Sequence, residues 1–150
     1  MASPVNFQYK NKSSSSQPYQ HDYYLNDGKF PNKQRRQLQH EIKIHMERYA
    51  KDLIGKGSDF TKVIIWDDML ILRCQGFLTD PEKFITTSAK GSNLVKASRL
   101  QIAKQFAVDN VPLFEAMLGA NCIHQTFDVE SDKDYWIHVM VFDQLLIEIN

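Results

Sequence analysis

Three residues near the C-terminus, Cys122, His124 and His138, have side chains that can bind metals. Strand alternation predicts all three on one face of a hairpin, where a thiolate and two imidazoles could hold zinc. Structural zinc sites have four ligands at recognisable spacings, and the sequence offers no fourth. The sequence therefore favours two histidines beside a buried thiol at an interface, and it predicts no metal site and no cofactor.

Other short motifs resemble catalytic or phosphate-binding signatures but fail on geometry. His40 and His45 are five residues apart, which is about 140° around a helix, whereas a zincin needs both histidines on one helical face. Gly55-Lys56-Gly57-Ser58 follows a helix and precedes a strand, the reverse of the order in a phosphate-binding loop. Asp67-Asp68 is most simply a solvated turn. Because no acid, base and nucleophile can be assembled, the chain is predicted not to be an enzyme.

Arg99 shares the apolar stripe of a predicted helix with Val95, Ile102 and Phe106. An unpaired charge in that position would be costly, so a carboxylate partner is predicted, and Glu82 is the candidate. Two roles are compatible with this position: an ion pair that tethers the helix, or a site that binds an anion.

The elements that position these residues follow from apolar periodicity. Helices are expected at residues 33–54, after Thr79, and from Gly91 onward, with Pro112 kinking or restarting the last one. Hairpins are expected at residues 61–75 and 122–142. The order α-ββ-α-ββ predicts an α+β two-layer sandwich: a four-stranded antiparallel sheet with helices on one face, in a permuted ferredoxin-like arrangement.

One domain is expected at residues 33–150, behind a disordered arm at residues 1–32 that contains a run of four serines. Charge is balanced, with 18 Lys+Arg against 18 Asp+Glu, so non-specific nucleic-acid binding is not favoured. No apolar run approaches the roughly 18 residues of a membrane span, and no hydrophobic signal core is present. A cytoplasmic protein with reduced cysteines and no membrane insertion is predicted.

Strand parity predicts an unusually apolar sheet face on the side away from the helices. Its predicted members are Ile64, Trp66, Met69, Ile71, His124, Trp136, His138, Met140 and Phe142. Something must cover such a face: a second copy of the chain, the N-terminal arm, or a ligand. A homodimer formed by sheet-on-sheet packing is predicted. The alternative is a dimeric sensor that binds a small molecule or ion on this face, between Trp66 and Trp136.

Residues 38–143 resemble the MpsC family of small bacterial proteins, also called YbcI-like. The matching positions include Gly55, Gly57, Gly76, Leu78, Thr79, Glu82, Arg99 and Gly119, together with a closing hairpin that contains Asp134. The resemblance implies a soluble accessory protein that works with MpsA/MpsB-type membrane transport components, at the inner face of the membrane through those partners. It implies a role in cation translocation, membrane potential generation and inorganic-carbon (bicarbonate) uptake, and it implies no catalytic residues.

Overall fold

The computed structural model describes residues 32–146, and the predicted arm and the last four residues of the chain lie outside the described residues. In chain order the elements are α1 (Asn32–Ile54), β1 (Phe60–Trp66), β2 (Met69–Gln75), α2 (Asp80–Ile85), α3 (Ala89–Leu118), β3 (Cys122–Glu130) and β4 (Tyr135–Phe142). The helices and hairpins that apolar periodicity predicts are therefore present, with ends close to those expected.

The strands form one antiparallel sheet in the order β1-β2-β4-β3. Each hairpin supplies one edge strand and one central strand, and the hairpins meet where β2 pairs with β4. Moving the first strand of a ferredoxin-like βαββαβ unit to the end of its chain produces this order. The predicted α+β, permuted ferredoxin-like arrangement is confirmed.

The core lies between the sheet and the two long helices, because each helix presents an apolar stripe to the strands. Ile42 of α1 and Phe114 of α3 are fully buried in the same cluster as Leu70 and Leu72 of β2. In β1 and β2 the buried positions alternate strictly along each strand. Thr61 and Cys74 belong to this buried set, so Ile64, Trp66, Met69 and Ile71 lie on the side away from the helices as predicted.

Strand β4 has the opposite parity to that predicted, whereas His124 of β3 points away from the helices as predicted. Directly paired residues share a sheet face, and Trp136 pairs with Cys74, His138 with Leu72 and Met140 with Leu70. Trp136, His138, Met140 and Phe142 therefore face the helices rather than the open side. His138, Met140 and Phe142 are almost fully buried. Because both faces of β4 are apolar, its own alternation could not indicate which face is inward.

The longest helix, α3, is continuous from Ala89 to Leu118. It begins at Ser88, whose Oγ accepts a hydrogen bond from the amide of Gly91 at 3.0 Å. The predicted restart at Pro112 is wrong. This proline is exposed, so water can solvate the carbonyl that loses its helical donor. The helix ends at Gly119, whose φ of +64° is the left-handed conformation that terminates many helices.

Candidate functional site

The segment at residues 76–82, which follows β2, is held against the rest of the domain from several sides; we call it the anchored loop. It leaves the strand at Gly76, where φ is +71°, a conformation that favours glycine. A Cβ on Gly76 would also lie only 2.6 Å from the Cβ of Asp59. Glycine is therefore required here for both backbone conformation and space.

Two charged side chains fix the middle of the anchored loop. The Oδ1 atom of Asp134, in the turn before β4, accepts hydrogen bonds from the amides of Phe77 (2.8 Å) and Leu78 (2.9 Å). The ammonium group of Lys56 donates to the carbonyl of Leu78 at 3.0 Å. The Gly55-Lys56-Gly57 segment and the closing hairpin thus meet at this loop. Their roles as anchors could not be predicted from local sequence, because both contacts are long-range.

Replacing Asp134 by alanine is expected to lower the free energy of unfolding by about 2–3 kcal/mol, because two amide donors lose a charged acceptor. Phe77 and Leu78 are buried, so water cannot easily replace that acceptor. The φ of Asp134 is +50°, which asparagine tolerates better than alanine. Asp134→Asn should therefore cost only about 1 kcal/mol. Urea denaturation of both variants measures the difference, and equal costs would contradict the anchoring role.

The end of the anchored loop is held by the predicted ion pair. Nε of Arg99 donates to Oε2 of Glu82 at 2.8 Å, and its NH2 group contacts Oε1 of the same carboxylate. NH2 also donates to the carbonyl of Phe77 at 2.9 Å, and the guanidinium carbon lies 5.0 Å from the centroid of the Phe77 ring. Arg99 is only 4% exposed. Glu82 is therefore the partner of Arg99, and the contacts correspond to the helix-tethering role.

The carboxylate of Glu82 also caps the start of α2. Its Oε1 accepts hydrogen bonds from the amide of Thr79 (3.1 Å) and the hydroxyl of Thr79 (2.8 Å). Burial by itself would raise the pKa of Glu82, but the hydrogen bonds from Arg99 and Thr79 outweigh it and lower the pKa below 4.5. Glu82 is therefore ionised near neutral pH, and its carboxylate is engaged by Arg99 and Thr79.

A groove of about 400 Å³ runs along the outside of this cluster, between the end of α1, α2 and α3; we call it the helix-side groove. Thr79, Glu82, Ser98 and Arg99 form its polar part. Its apolar wall includes Leu53, Ile85 and Leu94, which are 53%, 42% and 60% exposed. Exposed aliphatic side chains around a buried ion pair are typical of a surface that another molecule covers.

The second candidate surface is the side of the sheet that faces away from the helices, which we call the open sheet face. The register assigns to it the outward residues of all four strands. Its half-buried apolar centre consists of Ile64, Met69, Ile71, Ile137, Val139 and Val141. Trp66, at one end of β1, is 60% exposed. None of these residues belongs to the core cluster found within residues 33–146.

The corrected parity separates residues that the sequence placed together. His124 is exposed on the open sheet face, whereas His138 is buried on the helix side. Among the described residues no group of three or more His, Cys, Asp or Glu side chains could hold a metal ion. His138 stacks instead on Phe127, with ring centroids 4.0 Å apart, and its Nε2 is hydrogen-bonded to Oε1 of Gln125 at 2.9 Å.

The two tryptophans also lie on opposite sides of the sheet. Trp66 is on the open sheet face, whereas Trp136 packs edge-on against Phe106 of α3, with centroids 5.4 Å apart. A ligand on the open sheet face could not lie between them. The paired-tryptophan site of the sensor hypothesis is therefore wrong.

Comparison with known proteins provides the context for these surfaces. The family model described as "Na+-translocating membrane potential-generating system (MpsC)" matches residues 34–144. The chain is 26% identical over 110 residues to "Uncharacterized protein YrhF" of Bacillus subtilis (strain 168), covering 73% of this chain and 90% of that protein.

A second relative matches a shorter part of the chain. "Uncharacterized protein YbcI" of the same organism is 30% identical over 67 residues, or 45% of this chain and 54% of that protein. No solved structure matches the chain. Within the described residues, no helix has the length and apolarity needed to cross a membrane.

Proposed function

The chain belongs to the MpsC family, and on that premise we propose that it is a non-enzymatic accessory protein of a cation-translocating membrane system. In this proposal the system generates membrane potential and supports inorganic-carbon (bicarbonate) uptake. The protein acts in the cytoplasm and reaches the membrane through MpsA/MpsB-type transport components. The observation that carries the proposal is the family match over residues 34–144, whose description names a Na+-translocating, potential-generating system.

The helix-side groove is the surface through which the protein contacts a membrane component in this proposal. The positions that carry the family resemblance are concentrated there: Thr79, Glu82 and Arg99 line the groove, while Gly76 and Leu78 belong to the adjoining anchored loop. Glu82 and Arg99 neutralise each other. The groove therefore offers a partner mainly apolar contact, through exposed residues such as Leu94. An amphipathic helix or loop of a membrane component fits such a surface.

Co-purification from solubilised membranes tests this contact. The tagged wild-type chain should retain the MpsA/MpsB-type components, identified by mass spectrometry. Leu94→Asp should reduce their recovery about tenfold or more, because a charge in an apolar interface is desolvated without a partner. Val108→Asp is the matched control: Val108 lies on the same helix and is 70% exposed, but it is outside the groove. Val108→Asp should recover as much of the membrane components as the wild type does.

Deletion of the gene tests the wider role. Loss of the protein should lower the membrane potential, measured with a potential-sensitive dye, and should impair growth that depends on bicarbonate uptake. Wild-type complementation should restore both, and Leu94→Asp should not. Unchanged potential and growth after deletion, or no membrane component recovered with the wild-type chain, would contradict the accessory role.

The proposal also includes self-association, with a second copy covering the open sheet face. Exposed Trp66 and the half-buried aliphatic centre of that face support this arrangement, since most soluble oligomers are symmetric homo-oligomers. The alternative, a dimeric sensor, required a site between Trp66 and Trp136, and these two residues lie on opposite sides of the sheet. No other described contact favours it over the accessory role.

A further inference from the structure

The outward residues of the open sheet face form four rows that cross the sheet from one edge strand to the other. In the order β1, β2, β4, β3, the register gives Phe60-Gln75-Tyr135-Glu130, Lys62-Arg73-Ile137-Asp128, Ile64-Ile71-Val139-Thr126 and Trp66-Met69-Val141-His124. The second row is polarised. It carries Lys62 and Arg73 on β1 and β2, and Asp128 on β3 at the opposite edge of the sheet.

The charges at the two ends of this row have no counter-charge within the described chain. Lys62 and Asp128 are both exposed, and neither forms an ion pair among residues 33–146. By contrast, Glu130 in the first row is paired with Lys96 at 3.6 Å. The guanidinium of Arg73 lies 5.3 Å from the centroid of the Tyr135 ring. Its buried Nε has no hydrogen-bond partner in the described residues.

We infer that the open sheet face packs against a second copy of the chain about a two-fold axis parallel to the strands, so that Lys62 meets the partner's Asp128. This inference rests on the dimer in the proposed function and specifies its geometry. The axis passes between β2 and β4, so β1 of each copy lies over β3 of the other. The contact between Lys62 and Asp128 then occurs twice, once at each edge of the interface. Arg73, one strand inward in the same row, lies beside that carboxylate.

The same operation matches the apolar rows. It places Ile71 over the partner's Val139, and Met69 over the partner's Val141. Trp66 lies over the partner's His124, an aromatic contact at the edge of the interface. Aligned sheets cross at about 30°, which displaces the edge residues of the charged row by about 4 Å against each other, a distance that a lysine side chain can span. With strands about 4.8 Å apart and about 3.3 Å of rise per residue, each face measures about 19 by 23 Å.

The other two-fold arrangement of aligned sheets is disfavoured by charge. A two-fold axis perpendicular to the strands would place β1 over β1 and reverse the order of the rows. Lys62 would then lie over the partner's Ile64, and Asp128 over the partner's Thr126. Charges would be desolvated without partners, which is unfavourable. Of these two arrangements, the axis parallel to the strands is the one that combines burial of the apolar rows with pairing of the row ends.

A charge exchange tests the orientation. Light scattering during size-exclusion chromatography of the full wild-type chain should give twice the chain mass of 17.4 kDa at micromolar concentration. Lys62→Glu should weaken the dimer about tenfold or more, because two acid–acid contacts replace two ion pairs, and Asp128→Lys should do the same with two base–base contacts. The double variant Lys62→Glu/Asp128→Lys should dimerise more strongly than either single variant, since the pairs re-form with reversed sign, but less strongly than the wild type, since Arg73 then lies beside a lysine.

Lys104→Glu provides the control, because Lys104 is exposed on α3 and its replacement changes net charge equally. It should leave the dimer unchanged. A wild-type chain that runs as a monomer would overturn the inference, and the face would then be covered by residues 1–31 or by another protein. A dimer that both single variants leave intact, or a double variant that dimerises no better than either single variant, would also overturn it. The masses are measured on purified chain, so this result is independent of the co-purification experiment.

Discussion

Glu82→Leu is expected to lower the free energy of unfolding by about 3–5 kcal/mol, because it leaves a buried guanidinium without its counter-charge. Arg99 is 4% exposed, and its other described hydrogen bond is to the carbonyl of Phe77 at 2.9 Å. The variant also removes the acceptor for the amide and hydroxyl of Thr79, which cap α2. Urea denaturation followed by circular dichroism measures the loss.

Two related variants separate the contributions. Arg99→Met should cost less than Glu82→Leu, because the Glu82 side chain is 21% exposed and keeps both hydrogen bonds from Thr79. The double variant should cost less than the sum of the singles, because neither charge is then left unpaired. Additive costs would contradict a coupled pair. If Arg99→Met leaves both stability and recovery of membrane components unchanged, the tethering role is also wrong.

Glu82→Gln removes only the charge, and its effect should depend on pH. The pKa of Glu82 is lower in the folded chain than its ordinary 4.5. The stability that it contributes is therefore fully present above pH 4.5 and lost as pH falls through the folded pKa. The difference in unfolding free energy between the wild type and Glu82→Gln should shrink below pH 4.5. A constant difference from pH 7 to pH 3 would show that the carboxylate is not selectively stabilised.

The pair could be predicted from sequence because two local signals agree. A capping sequence places Glu82 at the third position of α2 after Thr79, and a charged residue on the apolar stripe of α3 requires a partner. The order of elements was predictable for similar reasons. Strong turn and capping residues separate runs whose periods differ, as at Gly55, Asp67-Asp68 and Gly119.

Local sequence does not determine which face of β4 points toward the helices. In the first hairpin a two-residue turn fixes the register, and Val63 and Leu72 fall on the buried side as predicted. In β4 both alternating sets are apolar, and the inward set contains the polar residue His138. Only the pairing of β2 with β4 decides between them, and that contact joins residues far apart in the chain. An error of one residue moves every side chain to the other face.

The open sheet face is apolar with either parity of β4. Ile137 and Val139 occupy it in place of the predicted Trp136 and Met140. The identity of the individual contacts changed. The polarised row, for example, depends on Ile137 lying between Arg73 and Asp128. Two contacts of the anchored loop were equally inaccessible from sequence, because Lys56 and Asp134 reach it from distant segments. Long-range pairing, rather than residue preference, decides both surfaces.

His138 makes the corrected parity measurable, because burial of an imidazole on the helix side lowers its pKa from 6.5 to about 3. The folded chain therefore keeps His138 neutral at pH values where the unfolded chain binds a proton. Stability must rise with pH across this window and fall on acidification from pH 6.5 toward pH 3. Each pH unit within this window changes the free energy of unfolding by about 1.4 kcal/mol. His138 alone should therefore lower the free energy of unfolding by about 2 kcal/mol between pH 6.5 and pH 5.

His138→Leu should abolish that part of the slope. The two side chains have similar volumes, so the variant should lie within about 1.5 kcal/mol of the wild type near pH 8 and become the more stable protein near pH 5. Gln125, its hydrogen-bond partner, is exposed and can bond water instead. His40→Leu, which removes an exposed histidine of α1, should retain the wild-type slope. Unfolding curves at fixed protein concentration from pH 4 to pH 8 make the comparison. Equal slopes for the wild type and His138→Leu would show that this imidazole is not buried on the helix side.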